Sequence, residues 1–372
     1  MIHFTVTRSI IENAIEQGVF PGASIEVGTP ETVVWQQAFG RLTYAADAAS
    51  TSVGTLFDLA SLTKVIVTTT LAMRLVEDRR LHLSDRLSAW LPEWRGSDRG
   101  AVTVQHLLAH TSGLSAWLPL YRTCAGRQEF QPAICGLPLE YTPGTEAVYS
   151  DLGFMLLGFI LADAAGAPLD VQFSGLSRWL ESDLPRAPAA APNEHDAPPP
   201  YYLGFLPAAA WRPQIAPTEV DTWRGRLLVG EVHDENAWAL GGVAGHAGLF
   251  GTAPGVGLFA RWLLCARLGL RGDAGLARPE TLDVFTGRPG GAAGSRALGW
   301  DIMRPTSSCG RCMSSAAFGH TGFTGTSLWC DPAAPIYIVL LTNRVHPSRA
   351  SEVIGQIRPA VHDSIMEALG AA

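Results

Sequence analysis

The stretch Phe57–Thr70, FDLASLTKVIVTTT, holds Lys64, the one lysine among the 27 lysines and arginines of a 372-residue chain. A surface cation can be either residue, and this chain uses arginine everywhere else. The two differ in one chemically decisive way. A guanidinium is never neutral at accessible pH, whereas a buried ammonium can lose its proton and act as a base. Lys64 stands three residues after Ser61, and residues three apart share a helix face. Ser61 falls at the predicted start of a helix, where unpaired N–H groups and the macrodipole favour developing negative charge. A Ser-x-x-Lys tetrad is common by chance, so its meaning depends on what accompanies it.

The bulk composition narrows the function classes. With 47% hydrophobic and 16% charged residues, the sequence describes a globular chain with a sizeable core. A net charge of −7 without an arginine-rich block argues against nucleic-acid binding. The longest apolar stretch, FMLLGFILADAAGA from Phe154, is too short and too interrupted to span a bilayer. The first 18 residues lack the features of a secretory leader and read as an amphipathic helix, so a cytoplasmic location is expected. In that setting the six cysteines are expected to be thiols, and Cys309-x-x-Cys312 is not expected to bind zinc or cycle redox states.

Residues 23–44 carry two alternating runs, ASIEV and TVVWQQAFG, a hairpin signal. An apolar helix is expected from Ser61 to about Glu77. In TVQHLLAHTSGL, Thr103 is placed as the cap and Gly113 as the end of a further helix. Another helix is expected from Asp151, and one more over about 255–268. Residues 183–200 read as a proline-rich surface excursion. Beyond Leu298 the pattern turns to strands, and a last helix occupies about 349–369. The fold class expected is therefore α+β. Residues 1–80 and 290–372 form a sheet domain from both chain ends, and 81–289 form an inserted, mostly helical domain.

Three motifs run in order along the chain: Ser61-Leu62-Thr63-Lys64, Tyr149-Ser150-Asp151 and His320-Thr321-Gly322. Together with HTSGL at His110, LGWDI at Leu298 and the run VHDENAWALGGVAGHAGLF from Val232, the sequence resembles the β-lactamase and penicillin-binding-protein superfamily of serine hydrolases. The likeness is greatest to its class C-like, esterase-like branch. The resemblance implies a five-stranded, largely antiparallel sheet flanked by helices, with the third motif on an edge strand facing Ser61. It implies that Ser61 attacks an acyl carbonyl while Lys64 and Tyr149 share the proton transfers. It also implies an oxyanion site at the backbone N–H groups of Ser61 and Phe323, with no metal or organic cofactor. Asp151, His320, Thr321 and Gly322 would line the substrate site.

Two departures shape the expected substrate. Asp151 stands where that branch has asparagine, and a carboxylate there favours the ammonium form of Lys64. His320 replaces a lysine and removes a permanent cation. Efficient β-lactam turnover is therefore not expected, and an ester is the favoured substrate. A peptidase or amidase acting on D-amino-acid or cell-wall fragments is the alternative, and a non-catalytic binding protein on the same scaffold is the alternative of another class. Taken singly, Tyr149 reads as a core tyrosine, and only the other two motifs bring it into the site. His110 is expected to be structural, His246 a wall of the site, and Trp117, Trp238 and Trp300 core residues.

Overall fold

The strand Ile336–Thr342 shows how the chain builds its centre. Every residue in it is buried, the signature of a strand covered on both faces. Because side chains alternate, Ile336, Ile338 and Leu340 pack on one face, with the N- and C-terminal helices. Tyr337, Val339 and Leu341 enter the larger core on the other. A computed structural model describes residues 2–181, 197–270, 276–287 and 296–370. In it, the hairpin Gly22–Gly28 and Val33–Gly40 pairs with Ile336–Thr342, then come Ser327–Asp331, Phe318–Thr321 and Asp301–Ile302. All pairings are antiparallel.

Both chain ends therefore supply one sheet, as expected. It has six strands among the described residues rather than five. The extra strand, Asp301–Ile302, pairs only with Gly319 and Phe318. It stops short of His320 and Thr321, so the third motif lies beside an edge strand and keeps its own edge open. The helices Thr5–Glu16 and Ile354–Ala368 cover the outer face and are joined by a buried Thr7–Ser364 hydroxyl contact of 2.8 Å.

The helix Asp151–Ala165 begins where expected. The Ser150 hydroxyl accepts from the Gly153 N–H at 3.1 Å, and Gly166 closes the helix at φ 67°. Apolar on nearly every face, it is a buried core helix. Among the described residues no single helix is long and apolar enough to cross a membrane.

Thr103 caps its helix in a capping box with His106, but the helix ends at Leu108, well before Gly113. His110 turns the chain there with φ 57°. The expected helix from Ser61 reaches Glu77 but is not α-helical throughout. After a first α-helical step at Leu62 and Thr63, residues Lys64–Thr69 form a π-helix, and α geometry resumes at Thr70. Such widened turns are frequent at functional sites. Most of the expected excursion at 183–200 lies outside the described residues. All six cysteines are free thiols.

Candidate active site

Ser61 is presented by a strained turn. Ala60 adopts φ 47°, a left-handed conformation that costs a non-glycine residue about 1–3 kcal/mol. Its surroundings hold it there. The buried Asp58 carboxylate accepts from the N–H groups of Ala60 at 2.8 Å and His233 at 2.7 Å. The Thr63 hydroxyl donates to the Ala60 carbonyl at 2.6 Å. Lys64 then follows one turn on, fully buried, with Nζ 3.0 Å from Ser61 Oγ.

Lys64 Nζ has two further partners: the His246 carbonyl at 3.1 Å and Asp151 Oδ1 at 2.7 Å. It also lies 4.8 Å from the centre of the Tyr149 ring. Burial pushes the Lys64 pKa down, but the Asp151 carboxylate and Tyr149 outweigh it and hold the ammonium above its ordinary value. The Tyr149 hydroxyl is buried beside Lys64 and Ser61, and contacts with both favour its ionised form. Burial raises its pKa, the Lys64 ammonium opposes that, and the net shift is upward. The resting site thus holds an ammonium and a neutral phenol.

The third motif is pinned directly to the serine turn. Thr324 Oγ1 donates to the Asp58 carbonyl at 2.7 Å, and Thr326 Oγ1 to the Leu59 carbonyl at 3.0 Å. Glycine is required at 322 because a Cβ there would stand 2.4 Å from the Leu59 carbonyl oxygen and 2.1 Å from Thr326 Oγ1. This close approach brings Phe323 to the serine turn. Among the described residues, no other group accepts from the Ser61 or the Phe323 backbone N–H. Two free donors are what an oxyanion site needs.

His320 Nδ1 donates to the Thr321 carbonyl at 2.8 Å, which leaves Nε2 as a bare acceptor. Burial brings its pKa down to about 4, so it is neutral at physiological pH. His110 does more than end a helix. Its Nδ1 accepts from the Ser150 N–H at 2.9 Å, and its ring packs 4.6 Å from that of Tyr149, bracing the second motif. His246 is a wall, as expected, positioned by a 2.9 Å contact from Nε2 to Asp234 Oδ1.

Every residue assigned from the motifs except the buried Lys64 lines one cavity of about 600 Å3. The cavity also takes in residues that no motif singled out. Arg296, ion-paired with Asp301, stacks 4.8 Å from the Tyr149 ring. Arg349 pairs with Glu219 and Glu235, while Arg344 and Arg358 line the end beyond Phe323. Isolated arginines scattered from just before the strand Asp301–Ile302 to the last helix carry no spacing that reveals them. Of the tryptophans expected in the core only Trp300 is there. Trp117 and Trp238 are 43% and 39% exposed, and Trp117 forms part of the cavity wall.

A fold with this sheet, a serine one helical turn before a buried lysine, and a paired donor site defines a serine hydrolase. The Beta-lactamase family model matches residues 7–361. A putative D-alanyl-D-alanine carboxypeptidase of Escherichia coli (strain K12) is 31% identical, over 88% of this chain and 79% of the relative. An N-acetylmuramyl-L-alanine amidase of Bacillus subtilis (strain 168) is 33% identical, over 91% and 80%. Among solved structures, EstCE1, a hydrolase with promiscuous acyltransferase activity, aligns with a TM-score of 0.72 at 22% identity, covering 96% of this chain and 97% of its own. An octameric penicillin-binding protein homologue from Pyrococcus abyssi aligns at 0.69 and 19%, covering 98% and 77%. The chain belongs to the β-lactamase family of serine hydrolases.

Proposed function

We propose that the protein hydrolyses a carboxylic ester through an acyl-enzyme on Ser61. The observation that carries this is the 3.0 Å approach of the buried Lys64 Nζ to Ser61 Oγ, on the wall of a cavity where the Ser61 and Phe323 N–H groups have no acceptor among the described residues. Ser61 Oγ adds to the acyl carbonyl, and the N–H groups of Ser61 and Phe323 take up the negative charge. The Lys64–Tyr149 pair receives the serine proton and returns it to the departing alkoxide, and water then releases the acid by the reverse sequence. The base is the cluster Lys64–Tyr149–Asp151 after it has lost one proton.

Charge around the cavity supports an ester over a β-lactam. His320 is neutral, Arg296 and Arg349 are paired with carboxylates, and Asp151 faces the reacting end. At position 320 a β-lactam carboxylate would meet a neutral ring in place of a cation, and Arg344 and Arg358 at the same wall are engaged by the Phe323 and Gly322 carbonyls. The second reading is an amidase or carboxypeptidase, favoured by the names of the curated relatives. The test is kcat/KM for an aryl acetate, a chromogenic cephalosporin and a D-alanyl-D-alanine peptide side by side. The ester is expected to lead. A lead for the peptide selects the second reading, and a lead for the cephalosporin contradicts both.

The pH dependence has a definite sign. Asp151 holds the Lys64 pKa up, so Asp151→Asn lets it fall and exposes the base at lower pH. The acid limb of the kcat/KM profile for an aryl ester is therefore expected to move to lower pH in this variant. A limb that stays in place, or moves up, contradicts the assigned base.

A further inference from the structure

The Phe323 N–H belongs to the same planar peptide as the Gly322 carbonyl. Arg358, on the helix Ile354–Ala368, donates from Nη2 to that carbonyl at 2.6 Å and to the Thr326 carbonyl at 3.0 Å. The next peptide is held in the same way, by Arg344 Nε donating to the Phe323 carbonyl at 2.7 Å.

Arg358 is 8% exposed and makes no ion pair among the described residues, unlike Arg296 and Arg349 in the same cavity wall. Burying an uncompensated cation is costly. A neutral amide would brace a turn equally well. Burial, together with the neighbouring Arg344, works against the charged form, but a guanidinium keeps its proton at neutral pH.

A cation on the carbonyl end of a peptide draws electron density from its nitrogen and strengthens what the N–H donates, since bonded dipoles polarise one another. We propose that Arg358 is a positioning residue of the oxyanion site: it fixes and polarises the Gly322–Phe323 peptide so that the Phe323 N–H binds the developing oxyanion more strongly. The proposal rests on the reading of Ser61 and Phe323 as oxyanion donors. Its effect grows with charge on the substrate oxygen, so it falls on kcat and spares KM.

The test traps the acyl-enzyme formed from an aryl ester labelled with 13C at the carbonyl and reads the carbonyl stretch by isotope-edited infrared spectroscopy. Arg358→Gln, a neutral donor, is expected to raise that frequency and to lower kcat by ~10- to 100-fold, part of the cost of losing a whole oxyanion donor, with KM nearly unchanged. Arg358→Lys, which keeps a charge but not the two-carbonyl geometry, is expected to fall between Gln and wild type. If Arg358→Gln does not fold, the lysine variant alone carries the comparison. An unchanged carbonyl frequency in a folded variant overturns the proposal while leaving the Ser61 mechanism intact. Failure of the wild type to form any adduct on Ser61 removes the mechanism and this proposal together.

Discussion

Ser61→Ala is expected to lower kcat for an aryl ester by about a million-fold, the scale seen when a serine nucleophile is deleted from a working site. Ser61 Oγ lies 3.0 Å from Lys64 Nζ, the approach an activated nucleophile needs. The partners of Lys64 at Asp151 and the His246 carbonyl survive the substitution, so the ammonium keeps its compensation and the fold its stability. The result is read from single-turnover kinetics with circular dichroism as the control. Residual activity within ~100-fold of wild type would place the nucleophile elsewhere.

Lys64→Arg comes next in size and addresses the chemical reason for a lone lysine. If residue 64 supplied only positive charge, arginine would retain it and much of the activity. The proposed mechanism needs a compact group that fits between Ser61, Asp151 and the Tyr149 ring and gives up a proton. Guanidinium is planar, bulkier and does not deprotonate in the working range. Loss of positioned proton transfer costs ~100- to 10,000-fold, and a fall of that size in kcat/KM is expected in a folded variant. Near-normal turnover would contradict a proton-carrying role for Lys64.

The parts of this fold that were legible in the sequence are those with strong local patterns. The hairpin at Gly22–Gly40 alternates, and the helix Asp151–Ala165 has a serine cap and an apolar body. The run IYIVLLT has the continuous hydrophobicity of a doubly covered strand. Ser61 and Lys64 could be paired because they lie within one turn of chain. Tyr149 and His320 needed the resemblance, since nothing local brings residues 88 and 259 positions away from Ser61 into one cavity.

What escaped has identifiable physical causes. The π-helical segment Lys64–Thr69 leaves no mark on an apolar run, because both helix types bury the same side chains. The strand Asp301–Ile302 falls in LGWDI, where the pattern turns to strands, but at two residues it is too short to announce a sixth member of the sheet. Trp117 was misread because an exposed tryptophan on a cavity wall has the same composition signal as a core one. Arg344 and Arg358 act on backbone carbonyls, a role that depends on tertiary placement alone.

The ion pair between Lys64 and Asp151 gives this site its particular character. It compensates a fully buried ammonium, and it also sets the pH at which that ammonium can become a base. Stability and proton chemistry are thereby tied to the same carboxylate, which is why the substitution of Asp151 is read through a pH profile and not through rate alone.

The central claim is that an acyl group is carried on Ser61, and intact-mass analysis after brief exposure to a fluorophosphonate or an activated ester tests it most directly. One adduct per chain is predicted, mapping to the peptide that contains Ser61 and absent from Ser61→Ala. An adduct that persists in that variant, or no adduct on the folded wild-type protein, would contradict the account.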